Sequence, residues 1–195
     1  MIKEACEILK KLSVKDQEIK LSINLSPRQI NDRQLFEYIQ NSVNTAQVNP
    51  KKLELELTEG LLIGNYDKVQ YLLDGVGKLG MSVSIDDFGT GYSSLTYLHK
   101  LPIARLKIDR SFVKELNENS QDSNGSIIIA VIAMANSLKL DVIAEGVETA
   151  FQKDFFKQNN CNVAKVSYLA VRFPITLFVV YLKIKKRPSI KVVNL

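Results

Sequence analysis

At 195 residues with 46% hydrophobic content, the chain can bury a substantial core as one domain, although a complete eight-fold α/β barrel ordinarily takes roughly 250 residues. No apolar run reaches the ~20 residues that span a bilayer, the start MIKEACEILKKL is amphipathic rather than signal-like, and two cysteines (Cys6, Cys161) without a CxxC pair suit a reducing, cytoplasmic location and argue against a structural zinc site. The net charge of +5 is local: residues 161–195 carry seven basic side chains and no acid, leaving 19 basic against 21 acidic residues before them; such a tail can bind nucleic acid or anionic lipid, but here it also marks a break in the sequence's character. In chain order, Leu21–Leu25 (LSINL) predicts a short strand and Asp32–Ala46 a helix with Leu35, Ile39 and Val43 on one face. Leu53–Leu57 (LELEL) alternates strictly and predicts a strand. Tyr66–Leu79 predicts an amphipathic helix stopped by Gly80. The strand Met81–Asp86, a short helix near Ser93–His99, the strand Arg105–Asp109, a loop over Asn117–Gly125, the helix Ser126–Lys139 and the strand Asp141–Glu145 follow. Strands alternating with helices predict βα units and a parallel sheet.

The chemistry concentrates at one place in these units. In SIDDFGTGYSSL (Ser84–Leu95) an apolar alternating segment runs into two adjacent acids, Asp86 and Asp87, and then a loop with Gly89 and Gly91. Folding does not require two neighbouring like charges there, whereas paired carboxylates at a strand end are a common way to hold a divalent cation at a sheet edge. Asn24, Glu56, Asp86, Lys107 and Glu145 each fall at or near the C-terminal end of a predicted strand, the edge where α/β barrels and open parallel sheets bind ligands. Taken singly, Glu54 and Glu56 also fit the solvent face of an edge strand, and Lys107 also fits an outward-pointing residue. The coincidence over five strands favours a common rim. His99, the one histidine, and the aromatics Phe88 and Tyr92 are expected to pack or face solvent rather than ligate.

NLSPRQ (Asn24–Gln29), LELELTE (Leu53–Glu59), DDFGTGYSSL (Asp86–Leu95), LKIDRSFV (Leu106–Val113) and AEGVET (Ala144–Thr149) resemble, in order and spacing, the EAL-domain cyclic di-GMP phosphodiesterases. The resemblance covers roughly residues 1–164. It implies a modified (β/α)8 TIM-type barrel that hydrolyses cyclic di-GMP to pGpG with two divalent cations, Mg²⁺ or Mn²⁺. By motif position it implies Asn24, Glu56, Asp86 and Asp87 as metal ligands, and Lys107 as the lysine that holds the nucleophilic water. It further implies Glu145 as the acid beside that water, Glu148 as a member of the same motif at the substrate site, and Glu59 as the anchor of the DDFGTGYSS loop, which also shapes a homodimer surface. The residue types suit that chemistry, since hard cations take oxygen ligands and a lysine offsets developing phosphate charge.

Two departures qualify the expectation. No Glu-Ala-Leu tripeptide occurs in the chain, so one carboxylate ligand of the family is missing, and the fold class expected is α/β, an incomplete (β/α)8 barrel lacking its first strands. After CNVA (Cys161–Ala164) the family pattern stops. One set of codons for Lys165–Phe173, read one base out of phase behind an added C, gives QGILFSRPF, close to the family's ending. The expected organisation is therefore a partial EAL domain over 1–164 and a frameshifted basic tail over 165–195. The expected function is a degenerate cyclic di-GMP phosphodiesterase with weak or no activity. The alternatives are a non-catalytic cyclic di-GMP-binding or protein-interaction module, or a gene remnant without function. No DNA or RNA partner is expected.

Overall fold

A computed structural model of the chain describes residues 1–12, 20–64, 66–89, 98–117, 123–161 and 163–165. Among them, six strands form one sheet: β1 (Leu21–Asn24), β2 (Leu53–Thr58), β3 (Ser82–Phe88), β4 (Arg105–Ile108), β5 (Asp141–Glu145) and β6 (Val163–Lys165). All neighbours are parallel, and the spatial order is the chain order, β1-β2-β3-β4-β5-β6. Each crossover therefore steps one place in the same direction. With right-handed crossovers this puts every connecting helix on one face of the sheet, the winding of a (β/α) barrel and not of a doubly wound sheet, whose order reverses midway.

The strands show the same division of faces. In β2, Leu53, Leu55 and Leu57 are fully buried, yet Glu54 and Glu56 between them are buried too. A period of two places the leucines on the helix-covered face and the glutamates on the other. Likewise Val83 and Ile85 alternate with Ser82, Ser84 and Asp86, and Leu106 and Ile108 with Arg105 and Lys107. The second face is thus a polar barrel interior. Near the N-terminal ends of the strands, Arg105 pairs with Glu54, whose Oε2 also accepts from Ser82 Oγ at 2.9 Å, and Arg105 Nε lies 3.4 Å from Asp141. The solvent-face option for Glu54 and Glu56 and the outward option for Lys107 are overturned, because a strand buried on both faces leaves no solvent side.

The helices pack in succession around the outside. In α1 (Ile2–Leu12), Ile2, Ala5, Cys6 and Leu9 form one buried stripe that meets α3 (Leu35–Ala46), and α3 in turn meets α5 (Tyr66–Leu79). The predicted helix over Asp32–Ala46 starts at Leu35 because the Asp32 carboxylate accepts from Gln34 N–H at 2.9 Å and holds a turn there. A separate one-turn helix, α2 (Pro27–Ile30), precedes it, closed by a capping box between Ser26 and Gln29. α4 (Glu59–Gly64) follows β2 directly. Two further helices escaped the periodicity: α6 (Arg110–Glu115), capped by Asp109, and α8 (Ala150–Gln158), capped by a Thr149–Gln152 box. Between them α7 (Ser123–Ser137) begins three residues before its predicted start, within the predicted loop. The helix expected near Ser93–His99 falls mostly outside the described residues, and so does the tail expected over 165–195, apart from Lys165, the last residue of β6.

Candidate active site

Four successive strands each deliver one charged side chain to a single point in the barrel interior. Lys107 Nζ, on β4, lies 3.0 Å from Glu56 Oε2 on β2, 2.7 Å from Asp86 Oδ1 on β3 and 2.8 Å from Glu145 Oε1 on β5. An ammonium has three N–H donors, and here each has a carboxylate within reach. Lys107 is 1% exposed, so its charge is tolerable only because it is surrounded in this way. Burial pushes the Asp86 carboxyl up, against the pull of the Lys107 charge and hydrogen bond.

The next residue, Asp87, has a left-handed backbone with φ of 54°, uncommon outside glycine, at the point where the β3–β4 register shifts between Ile85 and Phe88. This turn aims Asp87 toward Asp109 at the end of β4. Burial raises the Asp87 carboxyl, and the Asp109 and Glu145 charges add to it. Burial acts on Asp109 in the same sense, but the Ser111 hydroxyl and N–H hold it low, with Ser111 N 2.9 Å from Oδ1. Of this carboxyl pair Asp87 therefore keeps its proton to higher pH. Asp109 was not among the candidates read from the sequence. Its signal was the alternation in LKID, which puts an acid two residues beyond Lys107 on the same strand.

The remaining candidates occupy the rim. Buried Glu59 accepts from Gly89 N–H through Oε2 at 3.0 Å, joining the start of α4 to the loop after β3. Gly89 has φ of 99°, and a Cβ there would lie 3.2 Å from the Phe112 ring. Arg110 Nη2 donates to Glu148 Oε1 at 2.6 Å, both side chains being more than half exposed. Asn24 stands exposed at the end of β1, at the same sheet edge but outside the Lys107 cluster. Lys107 thus gathers Glu56, Asp86 and Glu145; Asp87 pairs with Asp109, and Glu59, Glu148 and Asn24 lie around them.

The donor chemistry at this edge suits a hard divalent cation: Asn24, Glu56, Asp86, Asp87 and Asp109 offer only oxygens. Among the described residues no three acidic, histidine or cysteine side chains stand close enough to one another to form a ready-made ion site, and the Lys107 ammonium takes the centre of the carboxylate cluster. No helix of the described residues is long and apolar enough to cross a membrane.

The EAL-domain family profile matches residues 1–169, and the chain belongs to the EAL-domain family. Signaling protein YkoW of Bacillus subtilis is 40% identical over 162 residues, 83% of this chain and 20% of that protein. Cyclic di-GMP phosphodiesterase NbdA of Pseudomonas aeruginosa is 39% identical over 166 residues, 85% of this chain and 21% of that protein. The chain thus spans about a fifth of the length of these relatives. Among solved structures, the PaMucR phosphodiesterase in complex with c-di-GMP superimposes with a TM-score of 0.76 at 36% identity, covering 84% of this chain and 70% of that one. The EAL domain of Mycobacterium smegmatis DcpA gives 0.77 at 34% identity, covering 84% and 73%. The expected α/β barrel class and family stand.

Proposed function

We propose that this chain is an EAL-type domain that binds cyclic di-GMP at the C-terminal edge of its sheet and hydrolyses one phosphodiester to give pGpG, at a low rate. The observation that carries the reading is the Lys107 ammonium, fixed by Glu56, Asp86 and Glu145 within 3.0 Å, in a chain whose relatives include phosphodiesterases of this dinucleotide. Asn24, Glu56, Asp86 and Asp87, joined by Asp109, are the groups that would hold Mg²⁺ or Mn²⁺. When bound, such ions lower the pKa of water and polarise the phosphoryl oxygens.

The protein's own residues supply the rest. Lys107 orients the attacking water and offsets charge that develops on the phosphate. Glu145, held by Lys107 through Oε1, is the carboxylate beside the water and accepts its proton. Glu59 fixes the backbone of Gly89 and with it the end of the strand that carries Asp86 and Asp87. A homodimer through the 86–94 loop, residence in the cytoplasm, and a division into a domain over 1–164 and a tail over 165–195 belong to the same reading.

A second reading is favoured by one specific observation. The lysine already satisfies three carboxylates, which suits a module that binds the dinucleotide without turning it over. Incubation with cyclic di-GMP and Mn²⁺ or Mg²⁺, followed by chromatography, separates the readings. Slow pGpG formation that disappears in Asp86→Ala supports the phosphodiesterase. Binding without product supports the module, and neither binding nor product leaves a remnant.

A further inference from the structure

We infer that Arg110 is a substrate-binding residue, whose guanidinium leaves Glu148 to take a phosphate of the cyclic dinucleotide. The inference rests on the cyclic di-GMP reading above and concerns a residue that sequence motifs did not single out.

Placement comes first. Arg110 follows Asp109 at the C-terminal end of the strand bearing Lys107, and its stem lies across Gly146, the residue after Glu145. A Cβ on Gly146 would overlap Arg110 Cγ and come within 2.9 Å of Cδ, and the Gly146 φ of 71° also favours glycine. The backbone is thus shaped to let this arginine run over the rim between two active-site strands.

Charge gives the reason. One ammonium, that of Lys107, faces the carboxylates of Glu56, Asp86 and Glu145, with Asp87 and Asp109 beside them, so the cluster holds more carboxylates than cations. Nothing in that set is left over for a ligand with two phosphodiester charges. Arg110 brings a further cation to the same edge, and its planar fork matches a phosphate's two free oxygens. Its present partner holds it weakly: the Arg110 and Glu148 side chains are 56% and 54% exposed, and solvent-screened pairs of this kind contribute little. Exchanging Glu148 for a phosphate at a site already flanked by protein therefore costs little.

The experiment compares equilibrium binding of cyclic di-GMP by calorimetry, with Ca²⁺ as the divalent cation, for the wild-type chain, Arg110→Ala, Arg110→Lys and Glu148→Gln. Arg110→Ala is expected to raise Kd about tenfold and Arg110→Lys to fall between, since charge returns without the fork. Glu148→Gln, which breaks the same ion pair but frees the cation, is expected to bind at least as tightly as wild type. If Arg110→Ala and Glu148→Gln weaken binding alike, the pair only clips two loops together and the inference fails. It fails also if Arg110→Ala binds like wild type. Absence of binding by the wild-type chain instead rejects the cyclic di-GMP reading itself. Both positions are exposed, so thermal unfolding within about 2 °C of wild type certifies that the variants fold.

Discussion

Lys107 Nζ and Glu56 Oε2 face each other at 3.0 Å across the intervening strand β3, with side chains 1% and 2% exposed. A buried pair of this kind is marginal as a source of stability but costly to break on one side. Lys107→Met should therefore destabilise the fold by about 3–5 kcal/mol at neutral pH, because three carboxylates lose their common counter-charge. Urea unfolding measures it. The Glu56→Gln, Lys107→Met double variant should recover part of the loss, and strict additivity of the two changes would show that the pair is not coupled.

Asp87 and Asp109 respond to pH in opposite senses. The folded Asp87 carboxyl sits above its unfolded value of about 3.9, so the folded state binds its proton more tightly. Its favourable contribution is present below that pH and is lost as pH rises through the folded value, leaving a penalty at neutrality. Asp109 is lowered, so its contribution is present at neutrality and is lost as pH falls through its folded value. Asp87→Asn should raise Tm at pH 7 by a few degrees (about 2–4 °C per kcal/mol), helped by the tolerance of asparagine for positive φ, and the gain should vanish near pH 4. Asp109→Ala should lower Tm at pH 7. A Tm for Asp87→Asn that is unchanged at both pH values would contradict the burial argument.

Ser22 Oγ, Glu54 Oε1 and Ser84 Oγ are buried without a hydrogen-bond partner among the described residues. Ser84→Ala removes one such hydroxyl and leaves no group newly unpaired. It should be neutral or stabilising by up to about 1 kcal/mol. A loss of that size instead would reveal a bound water serving the hydroxyl.

The Glu59–Gly89 link gives a graded series. Gly89→Ala forces a side chain into a left-handed backbone against the Phe112 ring and should cost about 1–3 kcal/mol. Glu59→Ala should cost more than Glu59→Gln, which keeps an acceptor for Gly89 N–H. Chemical denaturation orders the three. Equal effects of Glu59→Ala and Glu59→Gln would mean that the carboxylate charge, not the hydrogen bond, holds the loop.

Strands were legible where alternation was strict. LELEL and RLKID announce one apolar and one polar face, and that polar face proved to be the barrel interior. Alternation alone could not say whether Glu54, Glu56 and Lys107 faced water or each other, because that depends on neighbours brought from other strands. The short helices α2, α6 and α8 carry too few turns for a 3.6-residue period to register, although their caps were written plainly at Ser26, Asp109 and Thr149. Asp109 and Arg110 were hidden for a related reason. One reads locally as the end of a strand and the other as the start of a helix, and only the β3 turn at Asp87 and the bare backbone of Gly146 reveal what they adjoin.

The strand order, identical to the order of synthesis, has a consequence for how this site is inherited. Among the described residues, the three carboxylates that pair with Lys107 come from one stretch of sequence, residues 53–145, in which each strand finds its neighbour already made. A ribosome that has released Glu145 has released the whole cluster. Change downstream of that point can rewrite the remainder of the chain without removing a single member, so the heart of the site can outlast the loss of its surroundings.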